Sequence, residues 1–178
     1  MSLVMRKTTK DDVLTAELVL RDGKAALHAL NVPQWQGEYP NRIDVAEDIE
    51  HGVGYVAESE TGAVVGTLAL TFGGDTTYDA LDGEWLTDST SVDARYAVIH
   101  RCAVSASAAH QGVMTFMFSE CERLAREHGC ESMRIDTHRN NLPMQGLIAK
   151  RGYTHCGAIT LPYPGEIDPE RLVFEKVL

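Results

Sequence analysis

The run Ala97-Val98-Ile99-His100-Arg101-Cys102-Ala103-Val104 has the apolar character of a strand, and it leads through small residues to Gly112 and into an amphipathic helix. The turn between Ala106 and Met114 is therefore a candidate anion site. The first N–H groups of a helix lack intrahelical partners and point outward, and a glycine lets a phosphate approach the backbone closely. An ordinary strand-to-helix turn has the same spacing, so the loop taken alone leaves both readings open.

Other residues could carry acid–base or nucleophilic chemistry. A histidine such as His100 suits proton transfer near neutral pH, with a hydrogen-bonded core histidine as the alternative. Glu84, in the acidic stretch from Gly73 to Asp93, is either a carboxylate for a cationic amine or a solvated loop charge. Trp35 offers an acceptor wall, by packing or cation–π contact, or a cover for a sheet. Asp136-Thr137-His138 ends a second strand, as part of an acceptor cleft or as a turn with a self-capping Asp. Cys102 shares a strand face with His100 and is a nucleophile if activated, a core thiol otherwise. No ligand spacing suggests zinc, and no metal is expected.

Several of these segments together resemble the acetyl-CoA-dependent N-acetyltransferase (GNAT) superfamily, in a bacterial branch. They are Ala103-Val104-Ser105 with the Gly112 loop, Arg134-Ile135-Asp136-Thr137-His138, Asn141-x-Pro143-Met144-Gln145 and Lys150-x-Gly152-Tyr153. Gln34-Trp35-Gln36 and Asp82-Gly83-Glu84-Trp85-Leu86 resemble that branch too, so the likeness spans nearly the whole chain. It implies acetyl-CoA as co-substrate, with pantetheine along Cys102, Ala103 and Val104. The pyrophosphate would then lie on Ala109, His110, Gln111, Gly112, Val113, Met114 and Thr115.

The family loop usually reads Arg/Gln-x-x-Gly-x-Gly/Ala. Here its first position is Ala109, which brings no cation, its central glycine is Gly112, and its last position is the bulky Met114. A lost charge-assisted contact predicts CoA binding weaker by about 1–2 kcal/mol, with His110 and the helix dipole as the remaining positive features. Asn141 is implied as a hydrogen-bond partner of the CoA arm, beside its local reading as an N-cap ahead of Leu142. The tyrosine that many relatives use as an acid falls on Ile148, so no general acid is inherited.

The implied reaction is direct attack of a primary amine, from a small molecule or a peptide, on the thioester. An alkyl ammonium of pKa about 10.4 must first lose a proton to a base or a water relay. Glu84 and His100 are the candidates for that role, and Trp35, Glu84 and His138 for contact with the acceptor. The alternative is a non-catalytic acyl-CoA-binding or ligand-sensing domain on the same fold, with a degenerate pyrophosphate loop.

The elements that would position these groups are legible from period and punctuation. A capping-box-like Thr9-Lys10-Asp11-Asp12 opens a helix to about Leu30, with Gly23 as a candidate break, and Ile43 to Glu50 is a second helix ended by Gly52. Gly54–Glu58 and Ala63–Leu70 form a hairpin around Thr61-Gly62. Strands follow at Arg95–Val104, Ser132–Asp136, Tyr153–Leu161 and Arg171–Val177. The intervening helices run from the Gly112 turn to His128-Gly129 and over Leu142–Arg151. With the resemblance, this predicts one α/β domain over 1–178: a mixed, mostly antiparallel sheet of six to seven strands, flanked by about four helices, with two central strands splayed apart.

A net charge of −10 offers no basic surface for nucleic acid or anionic membrane, while it suits an amine-bearing acceptor. Four cysteines without a CxxC pair read as reduced thiols. No run approaches the roughly 18 apolar residues of a membrane span, and the start lacks a signal-peptide h-region, so cytoplasm is the expected location. A homodimer through the last strands is a further implication of the resemblance.

Overall fold

Gly54–Ser59 (β2) and Val64–Thr71 (β3) are mostly buried strands rich in small and apolar residues, and they pair antiparallel. Their turn closes at Gly62, at φ +81°, whose N–H donates to the Ser59 carbonyl at 2.9 Å. Leu3–Lys7 (β1) extends this ladder beyond β2. The computed structural model describes residues 2–162 and 168–178. They form two compact units interleaved along the chain.

The first unit comprises the chain up to Ala29, Trp35–Leu70 and His100–Cys121. It holds β1, β2 and β3, the helices Val13–Ala29 (α1) and Arg42–Glu50 (α2), the second half of Tyr96–Val104 (β5) and the start of Val113–Glu127 (α3). Ala16, Val19 and Leu20 of α1, Val45 of α2, Val56 of β2 and Ala103 of β5 make its apolar cluster. Gly23 does not break α1. A Cβ there would lie 3.0 Å from the Ala103 Cβ, so the glycine is the notch through which the helix lies close on β5. Gly66 plays the same part under α3, where a Cβ would come within 2.7 Å of the Met117 sulfur.

The second unit comprises Leu30–Gln34, Thr71–Ile99 and Glu122–Leu178. Here the first half of β5 pairs in parallel with Ser132–Thr137 (β6), which pairs antiparallel with Glu170–Val177 (β8). Thr154–Thr160 (β7) lies antiparallel on β8, and Asp82–Gly83 (β4) antiparallel on β7. Leu142–Lys150 (α4) starts at Asn141, whose Oδ1 accepts the Met144 N–H at 3.3 Å. Buried Glu122 accepts from Arg151 at 2.9 Å and from Lys176 at 2.8 Å, tying the end of α4 and β8 to the last turns of α3.

Eight strands stand among the described residues, against the six to seven predicted. Both additions are edge pieces. β1 is only half-buried and lacks a clean alternation, and β4 is two exposed residues, too short to show a period. What makes β4 is a glycine pair: a Cβ on Gly83 would lie 2.1 Å from the Cys156 carbonyl oxygen, and one on Gly157 2.2 Å from that of Asp82. Both have φ in the left-handed half, at +150° and +140°.

Gly157→Ala should therefore combine backbone overlap with positive-φ strain and cost about 2–4 kcal/mol in urea unfolding. Gly62→Ala, where the added Cβ meets open space, should cost only about 1–2 kcal/mol, from φ alone. Equal losses would show that the Gly83–Gly157 crossing is not a close approach.

Candidate active site

In the first unit, β5 carries an interruption at its centre. Arg101 has φ +50° inside the strand, a left-handed conformation that a side chain with a Cβ rarely adopts. Its guanidinium is the anchor: Nε donates to Asp48 Oδ2 at 3.0 Å, Nη2 to Asp48 Oδ1, and Nη1 to the Tyr39 hydroxyl at 3.2 Å. Burial pushes the Asp48 carboxyl above its ordinary range, against the pull of Arg101. A bidentate pair of this kind can hold a strained backbone in place.

Past the strand, Ser105 donates its N–H to the Val65 carbonyl at 2.9 Å, and Asp22 of α1 accepts the Ala106 N–H at 2.7 Å, capping the single turn Ala106–Ala108. Ala109, His110, Gln111 and Gly112 are exposed, with His110 at φ +62° and Gly112 at φ +81°. Phe116 N–H donates to the Gly112 carbonyl at 3.0 Å, so the amides from Gly112 to Thr115 precede the first helical bond. A Cβ on Gly112 would meet nothing within 4 Å. The surface beside the glycine is thus open enough for a diphosphate, and the fit comes from helix amides and His110. Val113 is buried, Met114 half-buried and Thr115 exposed. Cys102 and Val104 are half-buried on β5, as is His100. Trp35, at φ +67°, is half-buried and packs on the apolar cluster that contains Ala103.

In the second unit, Arg134 is completely buried and lies between two rings, 4.1 Å from Trp85 and 3.8 Å from Tyr96. Its Nε donates to Glu175 at 3.0 Å, Nη1 to the Ser89 carbonyl at 3.0 Å and Nη2 to the Thr87 carbonyl at 3.2 Å. Glu175 also accepts from Ser132 at 2.6 Å and from the Thr87 amide at 3.2 Å. Burial works against its charge, yet the bonds from Ser132, Thr87 and Arg134 hold its carboxyl below the ordinary glutamate value. This network pins the segment that follows Glu84. Glu84 itself is exposed, with its N–H on the Cys156 carbonyl at 3.0 Å.

His138 is fully buried, and its ring is fully engaged. Nδ1 accepts the Asn140 N–H at 3.1 Å, which places the ring proton on Nε2, donating to Asp168 at 3.0 Å. Both ring nitrogens are thus engaged in the turn that precedes α4. Asn141 is the cap of that helix, the local alternative weighed for it. Ile148, at the position of the family's acid, is a buried core residue.

Arg101 was not singled out as a site residue from sequence, and the partner of Asp136 was not legible there. Arg101 carried a signal, a charge inside an apolar strand, which requires a buried partner; Asp48 supplies it from 53 positions away. Asp136 is bonded to the Tyr78 hydroxyl, which donates to Oδ1 at 2.8 Å from 58 positions away, and no local signal shows that pairing. Among the described residues no group of three or more His, Cys, Asp or Glu side chains is placed to hold a metal, and no helix is long and apolar enough to cross a membrane.

Strand, capped turn and open helix start, together with the order of elements, make an α/β fold with unbonded amides at the start of α3. The sequence pattern of the Acetyltransferase (GNAT) family matches residues 24–153. The chain belongs to this family, whose chemistry is acyl transfer from acetyl-CoA. It is similar to the crystal structure of a GNAT family acetyltransferase from Streptococcus agalactiae, with 29% identity and a TM-score of 0.84 over 99% of this chain and 95% of that one. A GNAT family acetyltransferase from Listeria monocytogenes shares the fold at 19% identity and a TM-score of 0.72, covering 99% of this chain and 95% of that one. So does the PaiA N-acetyltransferase from Thermoplasma acidophilum, solved in complex with coenzyme A, at 16% identity and a TM-score of 0.70 over 100% of both. No curated protein matches the chain.

Removing one partner of a buried pair leaves the other charge uncompensated, so Glu175→Gln should cost about 3–5 kcal/mol in urea unfolding. The sign of its pH dependence follows from the lowered carboxyl. Its stabilisation is present above the unfolded glutamate pKa and is lost as pH falls through the lower folded value. Wild type should thus lose stability on acidification below about pH 4, and Glu175→Gln should flatten that slope; an unchanged slope would remove Glu175 as a cause. Arg101→Ala, at a half-buried pair, should cost about 2–3 kcal/mol, with Arg101→Lys restoring only part because a lysine cannot form the fork.

Proposed function

We propose that this protein is an N-acetyltransferase that moves the acetyl group of acetyl-CoA to a primary amine of a small molecule or peptide by direct attack. The observation that carries the reading is the first unit's sequence of strand, Asp22-capped turn and α3 start. There Gly112 at φ +81° has open space where a Cβ would lie, and the amides from Gly112 to Thr115 precede the first helical bond. Family membership over residues 24–153 supports the use of acetyl-CoA there.

In this reading the β5 backbone from Cys102 to Val104 takes the pantetheine arm. Residues Ala109 to Thr115 take the pyrophosphate, with His110 in place of the usual cation. Glu84 and His100 are the proposed acid–base groups, and Trp35 belongs to the acceptor side. The carboxylates that give the chain its net charge of −10 favour a cationic acceptor over long range. A thiol of pKa about 8.5 leaves without much protonic help, so the demanding proton is the one on the amine.

Calorimetry with purified protein should give micromolar binding of acetyl-CoA. Gly112→Val should weaken it at least tenfold, since a β-branched residue is strained at that φ. No binding at millimolar acetyl-CoA would remove the acetyltransferase reading, and an unaffected Gly112→Val variant would move the anion site elsewhere.

A further inference from the structure

We infer that Lys24 is a positioning residue for the acceptor: its ammonium fastens residues 35–39 to α1 and so fixes where Trp35 stands beside Ala103 of β5. The inference rests on the acetyltransferase reading above and adds a residue to it, and every residue it uses belongs to the first unit.

Residues 35–39 precede α2 and lie outside any helix or strand, so their carbonyls need partners from elsewhere. One side chain supplies two of them. Lys24 Nζ donates to the Gly37 carbonyl at 2.9 Å and to the Glu38 carbonyl at 2.9 Å. The Lys24 carbonyl in turn accepts from Gln36 Nε2 at 3.3 Å, so a single position of α1 is bonded to three consecutive residues of the segment. The Glu38 carbonyl also accepts from Nδ2 of Asn41, the cap of α2, at 3.2 Å. An ammonium is a compact charge with three donors, which suits two adjacent carbonyls. Burial lowers the Lys24 ammonium below the ordinary lysine value, against the charges of Glu38 and Asp44, and the two carbonyls stand in for the water it has lost.

Both ends of the segment meet β5. A Cβ on Gly23, the residue before Lys24, would lie 3.0 Å from the Ala103 Cβ and 3.5 Å from Trp35 Cζ3, so the indole and the strand share one notch in α1. At the other end the Tyr39 hydroxyl accepts from Arg101 Nη1 at 3.2 Å. Trp35 and Tyr39 are thus attached at the two residues that flank Cys102, where the proposed pantetheine path begins. Trp35 is held at φ +67°, which costs energy for a residue with a Cβ and persists only where its neighbours are fastened.

A held indole beside the strand is a fixed wall for an incoming amine, whose nitrogen must reach the thioester in one orientation. Releasing the wall weakens acceptor binding and leaves the cofactor loop in place, because that loop has its own brace: Asp22 holds the Ala106 N–H at 2.7 Å. Three successive residues of α1 therefore serve three parts of the site, Asp22 the cofactor turn, Gly23 the strand and Lys24 the acceptor wall.

The test uses the full chain labelled with 5-fluorotryptophan. Its two tryptophans, Trp35 and Trp85, give two fluorine resonances, assigned through Trp35→Phe. Lys24→Met keeps the apolar stem and removes the donors. It should shift the Trp35 resonance and leave that of Trp85 in place, and Lys24→Arg, which can donate to both carbonyls, should restore the wild-type position. Kinetics use acetyl-CoA with spermidine, 2-phenylethylamine and alanine- and serine-initiated peptides, read by thiol release. Lys24→Met should raise the KM of the amine about tenfold, with the KM of acetyl-CoA within about a factor of two, and Lys24→Arg should recover most of the loss. A lysine with a merely structural role would lower the unfolding midpoint without separating the two KM values.

A Trp35 resonance that ignores Lys24→Met overturns the fastening, whichever amines are turned over. An unchanged amine KM in a variant whose Trp35 has moved overturns the positioning role. Calorimetry on the same proteins separates the two levels. Wild type that does not bind acetyl-CoA brings down the acetyltransferase reading, whereas wild type that binds, with Lys24→Met equal to it in both readouts, brings down Lys24 alone.

Discussion

A guanidinium without solvent exposure must be neutralised and hydrogen-bonded where it stands, and Arg134 imposes that requirement on the whole second unit. Its partners come from three places: Glu175 on β8, the carbonyls of Thr87 and Ser89, and the faces of Trp85 and Tyr96. A polar stretch with little regular structure is fastened to the sheet in this way. Trp85 in turn holds Tyr78 through its indole N–H, and Tyr78 holds Asp136. Through Trp85 and Tyr78 the buried cation thus bears, three contacts away, on the orientation of Asp136, the carboxylate of β6.

The first unit solves a different problem with similar means. A strand interrupted at a non-glycine residue is costly, and Arg101 is kept at φ +50° because its side chain is gripped by Asp48 and Tyr39. Glycine notches then let helices come close: Gly23 admits α1 against Ala103, and Gly66 admits α3 over β3. Between them the second half of β5 and the loop to Gly112 are fixed from both ends, and Asp22 caps the turn in the middle. Backbone amides at a helix start act only where they are aimed, and this bracing fixes their direction.

Much of the fold was legible in advance because it is written in local patterns. The α3 stripe, the Thr61-Gly62 turn, the Asn141 cap and the six longer strands all depend on residues within a few positions of each other. The two strands that escaped notice have no period to read, and β4 exists only because Gly83 and Gly157 meet across the chain. The site was less legible than the fold. Glu84, His100 and His138 were singled out for their chemistry, yet His138 has both ring nitrogens committed, while Asp136 acquires its character from Tyr78 and Arg171.

The sequence by itself determined the helices and longer strands, the glycine-bearing helix start and the motifs that place the chain in the acetyltransferase family. Those features rest on backbone preferences and short-range periodicity, which act within a turn or a strand. Only the tertiary structure decided which charges are neutralised and which remain available. Arg134 with Glu175, Arg101 with Asp48 and Tyr78 with Asp136 lie 41, 53 and 58 positions apart. Hydrogen bonding and burial act over a few ångströms, so the chemistry of such groups exists only once the chain has brought them together.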